Sequence, residues 1–185
     1  MSGLPRAGKP GARPAPEESD PEVAAVLEGR DSIQIEGDLL AEPAPPEKKE
    51  SYFGRVRRMS VAERVKVALS GNKEARTILA RDPVKLVQTC VLKNPRFTLE
   101  EALAMAKNRS LHGELLRMIA DEREWVRHYA VRLALVQNPK TPLQIALTLL
   151  SGVHERDMRQ LARSKNVPSV LQQQARRNLS RKDGR

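Results

Sequence analysis

The sequence predicts an all-α protein, a short α-solenoid of stacked helical repeats behind a disordered, acidic N-terminal arm, and three observations carry that expectation. Asn138-Pro139-Lys140-Thr141-Pro142 is a helix stop followed at once by a helix start, and the same punctuation occurs at Asn94-Pro95-Arg96-Phe97-Thr98. Asparagine tolerates the backbone that ends a helix, the first proline cannot continue one, threonine can cap the next, and a proline fits its first turn. Apolar residues recur at helical spacing from Val61 onward. Composition also changes abruptly at residue 50.

Residues 1–50 hold eight of the 13 prolines, none of the five aromatic residues, and six Lys or Arg against eleven Asp or Glu. Such a segment is expected to bury no core of its own. The rest holds 27 basic and 12 acidic residues, so one small, strongly basic domain trails an acidic arm. No apolar run approaches the roughly 18 residues needed to span a membrane. The opening MSGLPRAGKPG has no apolar stretch of the kind a secretory signal carries, and the single cysteine cannot staple a fold. A cytoplasmic location is the expectation.

Within the arm, Gly3 to Pro21 and Ala41 to Pro46 are Pro-, Ala-, Gly- and Glu-rich linkers. An apolar island lies between them at about residues 23–40. Ile33, Ile35, Leu39 and Leu40 mark it as a recognition segment that folds on a partner, or as a weakly sticky linker. A basic entry segment, 51–59, brings Tyr52 and Phe53 against Arg55, Arg57 and Arg58. Ser60 and Glu63 then form a capping box, so a helix starts at Ser60. Arg57-Arg58-Met59-Ser60 also fits a basophilic kinase, but the cap explains the serine without one.

The helical domain runs over 60–180, with a basic tail at 181–185. Val61, Val65, Ala68 and Leu69 make the first stripe, closed by Gly71-Asn72. Ala75, Ile78 and Leu79 make the second, closed by Asp82-Pro83. Leu86, Val87, Cys90 and Val91 make the third, and Cys90 is read there as a buried small hydrophobe. A shift of 44 positions carries Asn94-Pro95 onto Asn138-Pro139 and keeps Val87 with Val131, Leu99 with Leu143, Ala102 with Ala146 and Leu103 with Leu147. A 44-residue period lies within the roughly 40–47 of HEAT and armadillo repeats. A finer rhythm of asparagine turns, at Asn72, Asn94, Asn108, Asn138 and Asn166, opens helix after helix. The polar segment Val167 to Arg177 reads as a terminal cap, since end units of a stack face water.

Leu79-Ala80-Arg81-Asp82-Pro83 with Asn94-Pro95, and Ile119-Ala120-Asp121 through Val126-Arg127 to Asn138-Pro139-Lys140-Thr141-Pro142, resemble the leucine-rich repeat variant and HEAT-like α-solenoid families of bacteria over about residues 75–180. The resemblance implies a scaffold that binds macromolecules, and it brings no catalytic residue. Asp121 and Trp125 invite comparison with HEAT-like alkylation-repair glycosylases, which use a carboxylate and aromatics in a basic groove. An Asp at a helix start is usually a cap and a lone Trp at a repeat junction is usually core, and the pair is read that way.

Candidate partner-binding residues are basic. On a continuous helix, Trp125, Val126, Tyr129, Ala130, Leu133, Ala134 and Val136 form the core half. The other half carries Arg127, His128, Val131, Arg132 and Leu135 and borders Arg123. Arg156, Arg159 and Arg163, spaced by three and four, share one face. These residues suit a protein partner best. Nucleic acid or another polyanion is the alternative, because a basic stripe tracks phosphates but aromatics for stacking on bases are scarce. No metal-ligand spacing joins His112, His128 and His154, and neither a phosphate loop nor a serine-nucleophile motif is present. The expectation is a non-enzymatic module without metal or cofactor.

Overall fold

The computed structural model describes residues 20–42 and 49–183. Most of the first linker, residues 43–48 and the last two residues of the basic tail lie outside that range. Among the described residues the protein is all-α, with thirteen helices and no strand. In order they are α1 (Pro21–Leu27), α2 (Gly37–Leu40), α3 (Lys49–Arg58), α4 (Val61–Ser70), α5 (Lys73–Leu79), α6 (Lys85–Leu92), α7 (Leu99–Lys107), α8 (Gly113–Asp121), α9 (Arg123–Val126), α10 (Tyr129–Gln137), α11 (Leu143–Leu150), α12 (Glu155–Arg163) and α13 (Ser169–Asp183).

Local chemistry starts and stops these helices. At α4 the Ser60 hydroxyl accepts the Glu63 amide at 3.2 Å while the Glu63 carboxylate accepts the Ser60 amide at 2.6 Å. Thr98 and Glu101 repeat the device at α7. The turns share one construction. The side-chain oxygens of Asn94, Asn108 and Asn138 accept the amide two residues on, at 2.9, 2.9 and 3.0 Å, and the Ser164 hydroxyl does the same at 3.2 Å. In each case the next helix begins five residues after the turn residue. The 44-residue shift carries α6 and α7 onto α10 and α11, and Val87 with Val131 and Ala102 with Ala146 are buried as pairs. Leu103 and Leu147 are half-buried. Thr141 caps nothing: Pro142 holds that position, and the buried Thr141 hydroxyl donates to the Leu135 carbonyl at 2.6 Å.

Asparagine side chains also hold the elements together across the chain. Asn94 donates through Nδ2 to the carbonyls of Ala68 and Gly71 at the end of α4, at 2.8 and 3.3 Å. Asn138 donates to those of Ala106 and Asn108 at the end of α7, at 2.8 and 2.9 Å. Asn72 donates to Asp38 and Ala41 around α2, at 2.8 and 2.9 Å. Each is buried, and each satisfies carbonyls that a helix end leaves without an internal donor.

The core falls into two clusters that meet at α10. Val131, Ala134 and Leu135 close the first, which reaches back to Val23, whereas Val136 opens the second, which runs to Ala175. The expected continuous helix over 125–136 is broken. His128 adopts extended backbone at φ −76°, ψ 119° and restarts the helix as α10. The break resets the helical phase, so Val131 and Leu135 are core and Ala130 is exposed.

The apolar island also differs from expectation. Residues 20–42 pack on α4 instead of projecting as an arm, with Val23, Val26 and Leu39 buried and Ile33 and Ile35 half-buried against the same cluster. Gly29, at φ +69°, makes the left-handed turn that ends α1 and lets the chain double back. Five apolar side chains too few to form a core alone are wholly or partly buried by joining one that α3 to α6 already make. The recognition segment assigned to Ile33, Ile35, Leu39 and Leu40 is therefore engaged within its own chain.

Candidate partner interface

The two halves of the molecule treat their charges differently. In the N-terminal half several cations are spent on internal partners, while Arg81, Lys93, Lys107 and Arg109 stay exposed. Arg76, 1% exposed, places Nε and Nη2 on the Glu101 carboxylate at 2.8 and 3.1 Å, Nη1 on the Gly71 carbonyl at 2.9 Å and Nη2 on Glu42 at 3.2 Å. Burial pulls its pKa down, but Glu101 and Glu42 outweigh it and hold the guanidinium above its ordinary value. Glu101 serves twice, since the oxygen that meets Nη2 also accepts the Thr98 amide at 3.0 Å. Arg64 meets Asp82 at 2.6 Å, and Lys66 pairs with Asp31, whose pKa is lowered chiefly by that hydrogen bond. None of these partners is near in sequence, and the sequence marked none of these pairs.

The C-terminal half has too few acids for this. Residues 123–181 contain eleven Lys or Arg and three Asp or Glu. Glu124 pairs with Arg127 at 3.3 Å, Glu155 with Arg159, and Asp157 takes the Tyr129 hydroxyl. Arg132 and Arg176 are engaged by backbone. Arg132 donates to the carbonyls of Gly152 and Val126, both at 3.1 Å, and Arg176 to that of Ala162 at 3.1 Å. Arg132, expected to meet a partner, instead pins the turn between α11 and α12. Gly152 belongs to that arrangement, because a Cβ there would stand 2.7 Å from the Arg132 guanidinium.

Of the other expected site residues, Arg123 opens α9 and His128 sits at the start of α10, both exposed. Arg156 and Arg163 are exposed on α12, seven residues and thus about 10 Å apart along it. Arg159 lies between them, half engaged by Glu155. Tyr129 joins the start of α10 to the start of α12: its ring stacks on His154 at 3.9 Å, and its oxygen accepts the His154 amide at 3.2 Å. Burial first, and then the Asp157 carboxylate, push its pKa up. The sequence marked Tyr129 only as core.

Comparison with family models, with curated proteins and with solved structures finds no match for the chain. Among the described residues, no cluster of three or more His, Cys, Asp or Glu could hold a metal ion, and no helix is long and apolar enough to cross a membrane. His112, His128 and His154 each precede a helix as its cap residue. Trp125 packs on Phe97, ring centroids 5.2 Å apart, and Asp121 meets Arg117 at 3.7 Å. The carboxylate and the indole thus each have a partner of their own. What remains chemically available on the C-terminal half is a set of exposed cations without carboxylates: Arg123, Lys140, Arg156, Arg163, Lys165, Arg177 and Arg181.

Proposed function

We propose that this chain is a non-enzymatic interaction module, a short α-solenoid of the HEAT-like or leucine-rich repeat variant kind, and that the α12–α13 end docks an acidic surface of a protein partner. The observation that supports it most is the surplus of cations there. Arg156 and Arg163 on α12 and Arg177 and Arg181 on α13 face water without a carboxylate, with Lys165 in the turn between, on helices whose other faces bury Met158, Leu161, Leu171 and Ala175. An exposed cation adds little to stability, so a surplus kept on one end of a packed domain acts on association, through steering and choice of partner. Recurrent asparagine clamps and the 44-residue correspondence of α6–α7 with α10–α11 support the solenoid.

Nucleic acid is the second reading, and the same surplus favours it, since a basic stripe tracks phosphates. Among the described residues the large exposed apolar side chains are Leu27, Phe53 and Val170. The one aromatic, Phe53, lies on α3 at the other end of the chain, so stacking on bases has no support at α12–α13. The deciding experiment is affinity capture with and without nuclease, using the parent chain and a variant carrying Arg156→Gln, Arg163→Gln and Arg177→Gln. Nuclease-resistant capture lost in the variant supports an acidic protein. Capture abolished by nuclease supports nucleic acid, and capture unchanged in the variant rejects the surface.

A further inference from the structure

Among the described residues, 30–36 belong to no helix and pair with no strand, so what orders them, and the turn of α2 behind them, is supplied largely by the rest of the chain. Carboxylates meet cations: Asp31 pairs with Lys66, Glu36 with Arg55, Asp38 with Arg55 at 2.9 Å, and Glu42 with Arg76 at 3.2 Å. Main-chain carbonyls meet side-chain donors. Ile33 accepts from Lys66 at 2.6 Å, Leu40 from Arg96 at 3.0 Å, and Asp38 from the Tyr52 hydroxyl at 3.0 Å. Asn72 holds the carbonyls of Asp38 and Ala41 together. Leu39 fills a site with no solvent exposure. Contacts of this kind are how a protein holds a foreign peptide: donors to the main chain give affinity, while charged and apolar side-chain sites give choice.

We infer that Tyr52, Arg55, Lys66, Asn72, Arg76 and Arg96 form a groove for acidic peptides, that residues 31–42 fill it in cis, and that its occupant in trans is the same segment of a second copy of this chain. The site is separate from the α12–α13 surface, and its test is independent of that reading. Every contact named above joins the segment to the groove, and none depends on which copy supplies the segment. The covalent tie between them is the stretch 43–48. Cis therefore differs from trans chiefly by effective concentration, on the order of millimolar for a short link. A two-fold pair closes both grooves at once, each segment in the other's site, which is the geometry of an isologous exchange. Charge complementarity selects the occupant, since the segment's Asp31, Glu36, Asp38 and Glu42 fall on Lys66, Arg55 and Arg76, with Arg96 also 3.7 Å from Glu42.

The test uses two full-length variants. One carries Asp38→Lys with Leu39→Asp, spoiling the segment and leaving the groove. The other carries Arg55→Glu with Arg96→Glu, spoiling the groove and leaving the segment. A labelled synthetic peptide of residues 29–42 is titrated into the first and followed by anisotropy. Saturable binding is expected, weakened tenfold or more when Asn72→Ala is added and absent for a peptide carrying Asp38→Lys. If the first variant loses its helical signal, restoration of that signal by the parent peptide replaces anisotropy as the readout. Mixed in equal amounts, the two variants should form a heterodimer by light scattering while each alone remains a monomer. Failure of the peptide both to bind and to restore helicity overturns the groove. Peptide binding without a heterodimer overturns the second copy as occupant.

Discussion

Asn138→Ala isolates the clamp that ties the end of α7 to the turn after α10. The side chain is 5% exposed and makes three hydrogen bonds, to the carbonyls of Ala106 and Asn108 and from the Lys140 amide. Alanine removes all three and strands the Ala106 carbonyl in the interior. A buried acceptor left without a donor costs about 1–3 kcal/mol. The Asn108 carbonyl and the Lys140 amide lie nearer solvent and recover water, so they add about 0.5 kcal/mol each. The expected loss is about 2–4 kcal/mol, or roughly 4–16 °C in Tm for a chain of this size. Urea unfolding followed by circular dichroism at 222 nm measures it, with an unchanged m-value showing that the same surface is exposed. Asn138→Asp should cost at least as much, because its carboxylate faces two carbonyl oxygens. Asn94→Ala, which strands the Ala68 carbonyl, should match Asn138→Ala within about 1 kcal/mol. A loss under about 0.5 kcal/mol in Asn138→Ala would refute the clamp as a source of stability.

Arg76→Ala leaves the buried Glu101 without its partner and should cost about 3–5 kcal/mol, whereas Arg76→Met with Glu101→Leu should recover much of that loss on thermal melting. Tyr129→Phe removes a hydroxyl that joins α10 to α12 and should cost about 1–2 kcal/mol by urea unfolding. The folded pKa of Tyr129 lies above its unfolded value of 10.0, so the hydroxyl's contribution is complete below pH 10 and is lost as pH rises through the folded value; the difference in absorbance at 295 nm between the parent and Tyr129→Phe should show this tyrosine ionising above pH 10. Asp31 runs the other way. Its folded pKa lies below 3.8, so docking of residues 30–36 through Lys66 is complete above pH 3.8 and is lost as pH falls through the folded value, and limited proteolysis near Arg30 should accelerate there in the parent but change little in Asp31→Asn.

What was legible in the sequence was what acts within a few residues. The capping box at Ser60, the asparagine turns and the apolar stripes each lie inside one helix or its entry. The break at His128 was not legible, because no proline or glycine marks it and the apolar residues on either side suit one long helix. Docking of the island was missed for a different reason. Its donors, Lys66, Asn72 and Arg96, stand 31 to 56 positions away along the chain, so composition described an apolar island in a proline-rich arm while the side chains that order it lay in another part of the sequence. The basic C-terminal half was legible as charge. Which cations stay available was not, since Arg132 and Arg176 are withdrawn by carbonyls that only the folded chain brings near.

The seam at α10 carries a consequence for how the molecule is made. The first cluster closes at Leu135 and the second opens at Val136, so one helix completes one core before any of the next exists. A ribosome delivers the chain from its amino end, at about 5–20 residues per second. Once α10 has left the exit tunnel, everything from Val23 to Leu135 is present to collapse, while α11 to α13 are still being made. Those last helices then have a finished wall to assemble on, and the nascent chain is never asked to hold its whole apolar surface in water at once.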